Sequence, residues 1–302
     1  MSSAEHDTVE IPLPGVRSTA RPQLPSIQVA VELGAKTHPG LVRPINEDSY
    51  LVARADRSLE TLLTNLKPGE IPAWEAERSY GLVVADGMGG HAAGEVASHV
   101  ALRAVVEHVL ATADWVMRDV AMHHAVIEER LAQRFAAADE AVQDEASRNP
   151  RWAGMGTTMT LAVSSGANLF LGHIGDSRAY LLRGGNMQVL TRDHSYAQAL
   201  ADAGFISQSE VAAHRMRNVL LRSLGGGSVQ ADVRHLPLHS GDRLLLCTDG
   251  LTDMVAEPVI AEILQSAATA QAACDLLIAS ALAAGGRDNV TVVLARYAWQ
   301  QV

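Results

Sequence analysis

Lysine is nearly absent from this chain. Only Lys36 and Lys67 occur in 302 residues, and neither stands in a GxxxxGK[ST] phosphate loop or a VAIK-type strand. Phosphoryl transfer from ATP by those two routes is therefore not expected. Positive charge as a whole is short: 24 Lys and Arg face 34 Asp and Glu, a formal charge of -10. Such a chain repels a nucleic-acid backbone unless it carries a dense basic patch, so no nucleic-acid partner is expected. Cysteine is scarce too. Cys247 and Cys274 are too few for a disulfide framework or a Cys-based zinc site, and their apolar surroundings predict core thiols. No apolar run approaches the ~20 residues that span a bilayer, and the N-terminus lacks the apolar stretch of a secretory signal. The expectation is a cytoplasmic monomer with no membrane partner. Aromatic residues make up only 4%, so Ala, Val and Leu must build the core.

What is present has a clear order. Residues 1–27 hold Pro12, Pro14, Pro22 and Pro25 among polar residues and read as a flexible tail. Strand-like runs follow at Ile27–Leu33, Ser49–Ala53 and Tyr80–Ala85, with 56–78 between the last two reading as a long loop or short-helix insertion. Helical patterns cover His91–Leu110 and Trp115–Ala146, the second stopping at Asn149-Pro150. Short strands are then predicted at Thr157–Val163, Asn168–His173, Arg178–Leu182 and Met187–Leu190, with a hairpin turn at Gly184-Gly185-Asn186. A short helix near Tyr196–Ala203 precedes strands at Asp232–Leu236 and Arg243–Cys247. Helices at Glu257–Gln265 and Ala270–Ala284 and a strand at Val290–Tyr297 complete the chain. This is not βαβ alternation. It predicts an α+β fold of antiparallel sheets covered by helices, in one domain over 28–298.

The strongest chemical signal is a set of aspartates where strands end. Asp86 follows an apolar run and leads into Gly87-Met88-Gly89-Gly90. Asp249 follows Leu244–Cys247, and Asp288 precedes the last strand. Asp48 and Asp176 sit beside strands. Singly, each could be a turn former or a helix cap. Five in one chain point elsewhere: a buried carboxylate is costly unless it is paired or binds a cation. Converging carboxylates with few lysines suit a hard divalent ion with oxygen ligands, Mg2+ or Mn2+. Lacking a Cβ, Gly87 could bring its own carbonyl to such an ion. Arg43, five residues before Asp48, offers a guanidinium fork for a phosphate monoester. Gly87–Ala92 also fits a GxGxxA dinucleotide fingerprint, but Asp86 would face the pyrophosphate and the βαβ context is missing.

Taken in order, Gly40–Ser49, Val84–Ala97 (VADGMGGHAAGEVA), Gly154–Thr160 (GMGTTMT), Gly172–Tyr180 (GHIGDSRAY), Thr191–Ser195 (TRDHS), Asn218–Gly225 (NVLLRSLG), Leu246–Asp253 (LCTDGLTD) and Gly286–Thr291 (GRDNVT) resemble the successive motifs of metal-dependent protein serine/threonine phosphatases, the type 2C family, in its bacterial branch. The resemblance implies a β-sandwich of two antiparallel sheets with helices on both sides. It also implies hydrolysis of phosphoserine and phosphothreonine in phosphorylated proteins by a metal-bridged water, reversing a bacterial Ser/Thr kinase. By position, Asp86 would bridge two ions, the Gly87 carbonyl would join one, and Asp249 and Asp288 would complete the other. Asp48, with Glu47 as neighbour, would act directly or through water. Asp176, Asp249 and Asp253 fit a third, weaker ion, and Arg43 would hold the phosphate. Residues 193–225 would form a flap beside the site. Eukaryotic relatives carry a His proposed as the leaving-group acid where this chain has Met88, which cannot donate a proton. His91 reads as a structural residue at a helix start, and His123, His124, His235 and His239 read as exposed.

Overall fold

In the computed structural model, residues 27–67, 69–89, 93–111, 120–227 and 229–301 are described. The proline-rich tail, His91 and the side chains of His123 and His124 lie outside them. Three strands open the chain: β1 (Ile27–His38), β2 (Asp48–Glu60) and β3 (Trp74–Met88). Helices α1 (Ala93–Ala111) and α2 (Val120–Arg148) follow, then β4 (Gly156–Thr157), β5 (Met159–Ser165), β6 (Asn168–Ile174), β7 (Arg178–Arg183) and β8 (Asn186–Val189). Helix α3 (Tyr196–Asp202) leads to β9 (Asp232–Pro237) and β10 (Arg243–Cys247). The chain ends with α4 (Asp249–Thr252), α5 (Glu257–Ser266), α6 (Ala270–Ala283) and β11 (Val290–Gln301). The strands form two antiparallel sheets, ordered β1-β11-β10-β7-β8 and β2-β3-β5-β6-β9, with β4 paired to β3.

The two sheets face each other across Leu82, Val84, Leu171, Leu181, Leu246 and Val293. A second apolar layer sits between α1, α2 and the β3-β5-β6 face. A third lies between β10, β11 and helices α5 and α6. The α+β sandwich with helices on both sides is thus as the sequence predicts. Strands with neighbours on both faces cannot alternate, and β5 is buried at all seven positions. Helix α2 docks through a stripe of Ile127, Leu131, Phe135, Ala138 and Val142, each at most 4% exposed, at the spacing of one helical face. Phe135 lies over Gly172 of β6, where a Cβ would come within 2.4 Å of its ring.

One segment differs from the sequence reading. Residues 56–78 are only in part a loop: the described residues of 61–73 are one, but β2 and β3 stay paired out to Glu60 opposite Trp74, while β5 pairs with β3 only over Ser79–Val84. The hairpin therefore projects past the sheet. Its outer half has solvent on both faces, so the apolar alternation that marks a half-buried strand is missing there. A cross-strand pair, Arg78 Nε to Asp56 Oδ1 at 2.6 Å, helps to hold it. At the predicted hairpin, Gly184 and Gly185 form the two-residue turn, with φ of 55° and 85°, which a side chain would disfavour. Both cysteines are buried and free, and none of the described helices is long and apolar enough to cross a membrane.

The stripe on α2 makes a stability prediction. Phe135→Ala should cost about 3–5 kcal/mol in guanidinium unfolding, whereas Phe205→Ala, at a residue 76% exposed, should cost less than about 0.5 kcal/mol.

Candidate metal and phosphate site

The predicted aspartates come from both sheets and meet at one end of the sandwich. Asp48 opens β2 and pairs in register with Asp86 near the end of β3. Asp176 lies in the β6–β7 turn, Asp249 begins α4 directly after β10, and Asp288 precedes β11. Asp48 is the deepest, 5% exposed. Thr248 Oγ1 donates to its Oδ2 at 2.8 Å, but its Oδ1 is buried without a partner. Asp86, Asp176, Asp249 and Asp288 are half-buried, and Asp253 stands at the rim.

Each deep carboxyl feels the others. Burial foremost, with Asp249 and Asp288 adding repulsion against the pull of the Thr291 and Thr248 hydroxyls, pushes Asp48 up to about 7. Burial, then Asp253 and Asp288, pushes Asp249 up to about 6. Burial followed by Asp48, Asp249, Asp176 and Asp288 holds Asp86 well above the usual carboxylate range. Asp176 is raised likewise, by burial and then Asp249 and Asp193. Two arginines answer at the edge. Arg43 Nη2 lies 2.7 Å from Asp288 Oδ2, and Arg217 Nη1 lies 2.5 Å from Asp253 Oδ1.

Neutral groups fix the geometry without cancelling the charge. The Asp86 N–H donates to Thr158 Oγ1 at 2.9 Å. Its carbonyl accepts from Thr158 N–H at 2.8 Å and from Thr157 Oγ1 at 2.9 Å. Asn289 accepts from Glu47 N–H at 2.8 Å and donates to the carbonyls of Pro39 and Ile45, each at 2.9 Å. It thereby ties the loop carrying Arg43 to the residue beside Asp288. Gly87 lies so close to α1 that a Cβ would come 2.0 Å from the Gly94 carbonyl, so only glycine fits there. The Glu47 carboxyl engages the Gly94 N–H at the start of α1 and also feels Arg43 and Asp288.

The sequence reading named every aspartate that the fold gathers, but not Thr248, Asn289 or Arg217. Thr248 and Asn289 adjoin Asp249 and Asp288, inside motifs already singled out, and that adjacency was the available signal. Arg217 had none, since its partner is 36 residues away. Of the histidines, His239 is exposed but His235 is half-buried, with Nε2 3.0 Å from Asn168 Oδ1. The pairing strand β6 covers it.

The donor set fits hard divalent ions. Among the described residues, no three His, Cys, Asp or Glu side chains form a closed metal-holding group. Mg2+ does not need one, because it binds through one or two carboxylates and keeps several waters. The orphaned Asp48 oxygen and the mutually raised carboxyls are what a site built for added positive charge presents.

Comparison with known proteins agrees with this arrangement. Residues 71–282 match the family model described as Protein phosphatase 2C. The serine/threonine protein phosphatase PstP of Mycobacterium tuberculosis is 36% identical over 270 residues, covering 89% of this chain and 45% of that protein. The chain thus spans about half the length of that relative. The serine/threonine phosphatase stp of Listeria innocua is 38% identical over 214 residues, covering 70% of this chain and 82% of its own. A crystal structure of the PstP catalytic domain in complex with two manganese ions superposes with a TM-score of 0.71 at 34% identity, covering 90% of this chain and 100% of that one.

The raised carboxyls fix a sign for pH dependence. A group whose pKa is higher folded than unfolded stabilises most below its unfolded value, near 4, and loses that contribution as pH rises through the folded value. For Asp48 the loss runs from about pH 4 to about 7. In EDTA, Asp48→Asn should therefore gain melting temperature over the wild type as pH rises from 5 to 8, on the order of 5 °C. A constant difference between the two proteins across that range would contradict it.

Proposed function

Because the chain belongs to the protein phosphatase 2C family, we propose that it hydrolyses phosphoserine and phosphothreonine in phosphorylated proteins, with Mn2+ or Mg2+ as cofactor. The observation that carries this reading is the meeting of Asp48, Asp86, Asp249 and Asp288 from both sheets at one edge, with an Asp48 oxygen left unpaired. Residues 28–298 would be the catalytic domain, acting in the cytoplasm as a monomer against the products of a Ser/Thr kinase.

Asp86 and the Gly87 carbonyl would hold one ion, and Asp86, Asp249 and Asp288 the second, with Asp48 acting directly or through water. When bound, the ions supply Lewis-acid polarisation of the phosphoryl group and a water acidic enough to react near neutral pH. The Thr157 and Thr158 bonds fix the Asp86 backbone, from which its carboxyl would reach them. Arg43, drawn to Asp288 at 2.7 Å, would turn its fork to the phosphate once that aspartate's charge is met elsewhere. A water oxygen forms the new bond to phosphorus as the serine or threonine oxygen leaves, and the leaving oxygen takes a proton. Met88 cannot give that proton, so water is its source. Neither cysteine acts as nucleophile: burial pushes both thiols up to about 12, leaving no thiolate at neutral pH.

A phosphothreonine peptide tests the reading. Turnover should require Mn2+ or Mg2+, stop on EDTA, and fall by about a thousandfold or more in Asp249→Asn. Arg43→Ala should raise KM about tenfold. No hydrolysis with any divalent ion would overturn the proposal.

A third ion at Asp176, Asp249 and Asp253 would have to displace Arg217 from Asp253. Removing that competing guanidinium should tighten the weakest Mn2+ site. In titration calorimetry, Arg217→Ala should bind this ion several-fold more tightly than the wild type. Unchanged or weaker binding would exclude Asp253 as a ligand.

A further inference from the structure

A cavity of about 580 Å³ opens between the edge strands of the two sheets, β8 and β9, and Leu171, His173, Leu190, Arg192, Asp232 and Arg234 are among its lining residues. None of the gathered aspartates lines it. Its volume falls within the range of small-molecule sites, about 300–1,000 Å³. Leu171 and Leu190 supply apolar wall, while the Val233 side chain packs on the other, helix-covered face of the sheet. His173 is 1% exposed; its Nδ1 bonds Thr160 Oγ1 at 2.9 Å, and its Nε2 is buried without a hydrogen-bond partner. Burial, then His194, pushes its pKa down to about 3, so the ring is neutral. Because the Thr160 hydroxyl can donate or accept, Nε2 can do either as well.

The charges around this cavity are unequally committed. Asp232 is met by Arg222 at 3.0 Å and by His194 Nε2 at 3.2 Å. Arg192 pairs with Asp202. Arg234 alone of the lining charges has no acidic partner among the described residues: its Nη1 donates to the Leu190 carbonyl at 2.6 Å. The cavity therefore combines an apolar wall, one uncompensated guanidinium at its mouth and an unpaired neutral imidazole at its base.

We propose that this cavity binds a small organic carboxylate or phosphate, its anionic head on Arg234 and its apolar body against Leu171 and Leu190, with a polar atom reaching His173 Nε2. The site borders the start of the 193–225 segment at Arg192, and its Asp232 holds Arg222 of that segment. The His194 N–H donates to the Gly175 carbonyl at 2.7 Å, and His194 Nδ1 accepts from Gly175 N–H at 3.2 Å. The inference stands on the cavity alone and does not depend on the proposed phosphatase reaction.

Calorimetric titration of the full chain with benzoate and with phenylphosphonate, in EDTA, tests it. Without metal, the gathered aspartates repel both anions. At least one probe should bind saturably at one per chain, and whichever binds names the head group. Arg234→Ala, at an exposed position that leaves the core intact, should weaken binding about tenfold or more, while Arg43→Ala should leave it unchanged. The 15N resonance of His173 Nε2 should shift on binding. Absence of binding by either probe at about 20 mM, about −2 kcal/mol, would overturn the proposal. So would equal affinity in Arg234→Ala, or loss of binding in Arg43→Ala.

Discussion

The mutual repulsion of carboxylates at one edge of the sandwich is the constraint around which this molecule is arranged. Asp48 and Asp86 face each other on paired strands of one sheet, and Asp249 and Asp288 flank strands of the other. In a low-dielectric setting such charges cost several kcal/mol each unless they are protonated or met by cations. The chain supplies almost no lysine to meet them, and its two answering arginines stand at the rim rather than among the deep oxygens. A formal charge of -10, which argues against nucleic acid, would under the proposed function become, with divalent ions bound, a means of holding phosphate.

The residues that hold this arrangement in place are neutral. Thr157, Thr158, Thr248 and Asn289 donate to or accept from backbone and carboxylate atoms without lowering the negative charge. Replacing them by basic groups would quench the field they frame. The glycine at 87 serves the same end through space, since close packing against α1 fixes the backbone beside Asp86. The two sheets act as a rigid frame, and site precision follows from strand ends that cannot slip without turning their buried faces to water.

Much of the fold was legible because burial leaves a pattern. The α2 stripe from Ile127 to Val142 and the continuous apolar runs of β5, β10 and β11 announce their environments. The projecting hairpin over 56–78 did not, because a two-stranded arm in water has no buried face to write into the sequence. The boundaries of β1 and β11 also run beyond their predicted ends, where register with each other carries them on.

The sequence by itself determined which carboxylates the fold gathers: Asp48, Asp86, Asp176, Asp249 and Asp288 each stand beside a glycine or a strand end, in motifs of recognisable order. It determined equally that both thiols are buried, through two cysteines set in apolar runs. Only the tertiary structure decided what lies between those carboxylates. Arg217 meets Asp253, Thr248 meets Asp48 across 200 residues of chain, and His173 and Arg234 come to line one cavity. Such pairings depend on how two sheets stack and where a connecting segment returns. Those are long-range packing choices, and no local spacing of residue types encodes them.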